Sequence, residues 1–189
     1  MRLAAIPLIY LLGLLGGCAG TSRTAPVEAL DERTGVTLGV LKEPIELVPS
    51  HPEVGGSKRT TFAYLGPVEW NRSGTLSYAL WMHIAPGSDR ALVDIRGSAT
   101  PTLVLDDGVV ALSHMEAPYH GRDAYKQAAP WGQIAYFDLD VATLRRMAAS
   151  RKLELDVGAV DGSTVSFSPS SDTHAVLTRY LQDRGLTGD

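Results

Sequence analysis

Cysteine is nearly absent from this chain: the sequence has one, Cys18, in 189 residues. A single thiol excludes an intramolecular disulfide and any zinc site built from several cysteines. Excess positive charge is also missing, with 17 Lys+Arg against 21 Asp+Glu and a formal charge of −4. That balance supplies no general basic face for nucleic acid. Aromatic residues are sparse at 7%, yet the 44% hydrophobic content is enough to exclude wholesale disorder. Two chemical signatures are lacking as well. There is no G-x-S-x-G elbow, and Ser98 in Gly97-Ser98-Ala99 does not supply one. Gly55-Gly56-Ser57-Lys58 lacks the full phosphate-binding spacing, and no internal repeat is present.

What is present begins at the N-terminus. Arg2 precedes an uncharged, leucine-rich stretch from Leu3 to Gly17. The stretch is short for a membrane-spanning helix, which needs about 20 apolar residues, and Pro7, Gly13, Gly16 and Gly17 weaken it further. A basic start, a short apolar run and small residues at the end describe a secretory signal peptide. Here the small residues lead directly into Leu15-Gly16-Gly17-Cys18. This resembles the lipobox of bacterial lipoproteins, in which an aliphatic residue and two small ones precede the modified cysteine. The resemblance implies cleavage before Cys18, a diacylglyceryl thioether on its sulfur and a further acyl chain, such as palmitate, on the new amine. Two or more acyl chains hold a protein stably at a membrane where one is marginal. Ala19, not Asp, follows the cysteine. In a Gram-negative host that favours the outer membrane, with the protein facing the periplasm.

The expected organisation is a signal peptide over residues 1–17, a lipidated end and tether over 18–35, and a β-rich domain over 36–189. The tether is assigned because Thr21-Ser22-Arg23-Thr24-Ala25-Pro26 is small and polar without apolar periodicity. Beyond it, alternation marks strands at Val36 to Val40, around Ile45 and Leu47, and most clearly at Thr75 to Ala85. Phe62 to Trp70 is expected to be extended but interrupted at Gly66-Pro67. Further strands are read at Ala91 to Arg96, Thr102 to Leu105, Val109 to Leu112, Trp131 to Leu139 and Leu153 to Val160. Asp106-Asp107-Gly108 and Asp161-Gly162 read as hairpin loops. Asp140 and Asp172 are positioned to cap two helices, the second stopped by Gly185. Eight or nine short strands and two helices predict a mainly β fold, either an antiparallel sandwich or an open barrel. The body also looks like uncharacterised bacterial envelope proteins, a likeness that implies no activity.

Candidate chemistry gathers near the middle. His114, Glu116 and His120 are two imidazoles and a carboxylate close in sequence, a set suited to zinc or copper. Met115 beside Met82-His83 would suit reduced copper. Against this, the segment is rich in turn formers and matches no established metal motif. Asp106 and Asp107 are expected to bond turn amides in place of acting as catalytic acids. Tyr119, Tyr125 and Trp131 bracket a polar stretch with Arg122, Asp123, Lys126 and Gln127, the make-up of an interaction loop. The plainer reading is that Trp131 and Tyr136 open a core strand while the rest is solvated. The expected function is therefore a membrane-anchored envelope lipoprotein whose domain binds a periplasmic protein partner. A metal-binding envelope protein is second and a hydrolase of unknown type third, with no cofactor required by the first.

Overall fold

The computed structural model describes residues 25–51, 61–87, 93–95, 100–119 and 123–188. Its architecture is mainly β, one curled antiparallel sheet forming a half-barrel with two helices. Of the two architectures read from the sequence, this is the open barrel. Among the described residues eleven strands contribute: β1 Pro26–Asp31, β2 Val36–Leu41, β3 Ile45–Pro49, β4 Phe62–Arg72, β5 Thr75–Ala85, β6 Thr102–Leu105, β7 Gly108–Ala111, β8 His114–Met115, β9 Gln133–Asp138, β10 Leu153–Gly158 and β11 Thr164–Pro169. The helices are α1, Val141–Ala149, and α2, Thr173–Asp183. Among the described residues no helix is long and apolar enough to cross a membrane.

The sheet forks, and the fork explains two departures from the sequence reading. Strand order runs β7-β6-β10-β11-β3-β4-β5-β9-β8, while β2, carrying β1, also pairs with β4. Strand β3 pairs with the first half of β4, from Ala63 to Leu65, and β2 with the second, from Val68 to Asn71. Gly66 and Pro67 lie between the two branches, so β4 runs straight through the dipeptide expected to break it. Their other edge stays in register with Trp81 and Leu80 of β5. Pro is tolerated here because the branching edge makes no ladder at this point.

The second departure is β1. Pro26–Asp31 was expected in the tether but pairs along its whole length with β2, from Pro26↔Leu41 to Asp31↔Val36. Its weak apolar pattern is supplemented from the far end of the chain. Arg184, just past α2, donates through Nη2 to the Val27 carbonyl (2.9 Å) and ion-pairs with Glu28. Its Nη1 also lies 3.8 Å from Glu69 of β4, and the side chain is only 7% exposed. Gly39 makes room for it: a Cβ there would sit 2.8 Å from the guanidinium carbon.

Both helices cover the face that Gly39 shares. Asp140 accepts from the Thr143 amide and Asp172 from the Ala175 amide, capping α1 and α2 as expected. The Tyr180 hydroxyl, buried on α2, donates to the Gly39 carbonyl. Leu144 and Met147 of α1 join Leu177, Tyr180 and Leu181 of α2 in the core with Leu65, Leu80, Met82 and Phe137 of the sheet. Gly108, Gly162 and Gly185 hold φ of 135°, 82° and 65°, the conformations their turns and helix stop require. The stretch expected as a strand at Ala91 to Arg96 contributes, within its described residues, a bridge from Val93 to Ala159.

Candidate functional site

The opposite face of the sheet holds the candidate site. Trp81 and His83 of β5 face away from the helices, in rows with Gly66, Tyr64, Tyr136 and Ile134 of the neighbouring strands. Alternation makes this a second face, where His83 and the small Gly66 and Ala79 interrupt the apolar Val68, Trp70 and Trp81. It is nevertheless buried: Trp81 and His83 have no exposed surface. The cover is irregular chain from Asp123 to Gly132.

Tyr125 anchors that cover. It is 4% exposed, its ring 4.9 Å from that of Trp81 and pressed against Gly66. Its hydroxyl accepts from the Leu41 amide (3.1 Å) and donates to the Pro67 carbonyl (2.8 Å). Leu41 and Pro67 stand where the next rung of the β2–β4 ladder would fall, so the phenol bridges the mouth of the fork. Burial, above all, pushes this hydroxyl well above the usual tyrosine range. Trp131, expected to open a core strand, lies outside β9 and is 57% exposed, with its indole N–H donating to the Pro86 carbonyl (3.3 Å). Local patterning could not distinguish the two aromatics, because the fork that receives Tyr125 is built from strands remote in sequence.

Between this segment and the β1–β2 ribbon runs a groove of about 680 Å³. Val27, Ala29, Leu38, Val40 and Leu41 make an aliphatic floor; Lys42, Asp123, Lys126 and Gln127 add polar groups around it. An apolar floor with a few polar groups is the general make-up of a binding site. A second cleft, about 650 Å³, lies where β10 and β11 meet α2 and is lined by Lys152, Glu154, Ser168 and His174 among others. Its polar groups are largely engaged: Ser168 with Ser50, Lys152 with Glu154, and His174 Nδ1 with the Ala148 carbonyl.

His83, considered from the sequence only beside Met82 and Met115 as a setting for reduced copper, is buried on this face. Among the described residues neither ring nitrogen has a hydrogen-bond partner, and the Trp81 indole nitrogen likewise has none. Tyr64 stacks on the imidazole with centroids 5.8 Å apart. Burial lowers its pKa from the usual 6.5, opposed in part by the nearby Ala129 carbonyl.

The other sequence candidates do not come together among the described residues. His114 is on β8, exposed, with its ring 4.5 Å from that of Phe137, and Glu116 is exposed just beyond. His120, Arg122, Ser98, Cys18 and Gly55-Gly56-Ser57-Lys58 lie outside the described residues. Among the described residues no three His, Cys, Asp or Glu side chains gather as a metal site would require. Met115 cannot join Met82, because the β5–β9–β8 register puts them on opposite faces of the sheet. Asp106 accepts from the Arg151 and Lys152 amides, which, led by Arg151, hold its carboxyl below the usual range. Asp107 is held low by its pairing with Arg146. Tyr119 lies under the Arg72 guanidinium at 5.6 Å.

No protein-family model, no curated protein and no solved structure matches this chain.

Proposed function

We propose that this chain is an envelope lipoprotein, anchored through acyl chains on Cys18, whose half-barrel domain binds a protein partner along the β1–β2 groove. The anchor half rests on the lipobox-like Leu15-Gly16-Gly17-Cys18 behind an uncharged apolar run. The binding half rests on one observation: a groove of about 680 Å³ whose aliphatic floor, part-exposed at Val27 and Ala29, is bordered by Lys42, Asp123, Lys126 and Gln127. Apolar area supplies the driving force for such an encounter, and the charged groups select orientation. The groove also adjoins β1, which begins at Pro26, close in sequence to Cys18.

Two measurements test the halves separately. Replacing Cys18→Ser should abolish incorporation of labelled palmitate and leave uncleaved precursor. Wild-type protein cleaved elsewhere and carrying no acyl mass would overturn the anchor. For the groove, a photo-crosslinking residue at Lys126 should capture a defined protein in intact cells. The same residue at Arg179, exposed on α2, should not. Equal capture from both positions, or none from Lys126, would remove the groove as the binding surface.

A further inference from the structure

His83 is a titratable group sealed beneath the same irregular segment that walls the groove. The seal is tight: a Cβ placed on Gly132 would lie 1.9 Å from His83 Nε2. The segment belongs to no strand or helix. Side chains tie it to the sheet: the Tyr125 hydroxyl in the fork, the Trp131 indole on the Pro86 carbonyl, and the Tyr136 hydroxyl at the Ala124 backbone.

We propose that His83 is a proton-operated release for residues 123–132, its neutral ring accepting the closed segment and its protonation lifting that segment and opening the groove. The inference rests on the groove reading above and adds regulation to it. An imidazolium must donate from both nitrogens, and the described surroundings offer little to receive those protons. Strand β4 presents the Tyr64 ring, β9 presents Ile134, and β5 itself presents Trp81. The covering segment presents the Ala129 carbonyl, which accepts from Gly132 and also favours the charged ring, but it can take one imidazolium proton and leaves the other N–H without an acceptor among the described residues. The acid along this row is Glu46 on β3, paired with Tyr64 and so one strand further away, and exposed. A charge left unpaired there needs water. Breaking the long β4–β5 pairing to admit it would cost far more than lifting a segment that belongs to no sheet. The sign agrees with the burial-lowered pKa, since the opened state takes the proton more readily.

Hydrogen exchange on the full chain, read between about pH 7.5 and about pH 5.5 and corrected for intrinsic exchange, tests this. Amides of 123–132 should open more often as pH falls, by up to about tenfold per pH unit, because one proton is linked to opening. Amides of β4 and β5 should keep their protection. His83→Phe and His83→Gln should each remove the pH dependence, and protection in β4 and β5 shows whether each variant has folded. A flat wild-type profile overturns the proposal even if neither variant folds. So does the same rise in a folded variant, or equal loss of protection in β4 and β5. Because no partner is present, failure here leaves the groove reading to the crosslinking result.

Discussion

Taking one oxygen from Tyr125 would separate its two roles. Tyr125→Phe keeps the ring against Trp81 but leaves the Leu41 amide and the Pro67 carbonyl facing each other without the bridging hydroxyl. Buried backbone groups left unpaired cost about 1–3 kcal/mol each, so urea unfolding should show a loss of about 2–6 kcal/mol with little change in slope. Gly66→Ala attacks the same spot from the sheet, since its Cβ would lie 2.3–2.5 Å from the Tyr125 ring. A loss of about 1–3 kcal/mol is expected from such overpacking. Combined with Tyr125→Ala, which removes the obstructing ring, the Gly66 substitution should cost much less than it does alone. That non-additivity, measured as a double-mutant cycle, checks that the two residues share one contact.

Whole elements show where the sequence was legible. Both helices follow from local signals, an aspartate able to cap and an apolar stripe behind it. Asp140→Ala should cost about 1 kcal/mol in thermal or urea unfolding. The hairpins at Gly108 and Gly162 were equally local, since each needs only a residue that adopts positive φ. The β4–β5 turn at Ser73-Gly74, with φ of 51° and 88°, carried a similar signal in its Ser-Gly pair. What could not be read depends on distant partners. Strand β1 alternates only weakly and is secured by Arg184, 156 residues away from Glu28. Gly66-Pro67 has the composition of a turn and becomes a straight crossing because a phenol from elsewhere fills the fork. The candidate groove was hidden for the same reason: its wall has no periodicity, and part of its floor, Val27 and Ala29, belongs to a strand assigned to the tether.

At the scale of the molecule, these buried and bonded groups set how stability responds to pH. The His83 pKa is lower folded than unfolded, so its contribution is complete above about pH 6.5 and is lost as pH falls through the lowered value. Asp106, Asp107 and Asp140 are also held low, by amides or by Arg146. Their contributions persist above 3.8 and disappear as pH drops through the folded values. Tyr125 and Tyr180, raised mainly by burial, work at the other end: their contribution is present below 10 and is lost as pH rises above it. Melting temperature against pH should therefore fall in two acid phases and one alkaline phase, with His83→Phe removing the first acid phase alone. Arg184, finally, decides how the molecule bears a pull. Tension on the N-terminal chain enters at Pro26 and meets Val27 and Glu28, the residues its guanidinium grips. The end of α2 is thereby coupled in series with β1. A terminal strand that would otherwise peel away rung by rung yields only when the grip from the far end of the chain gives way with it.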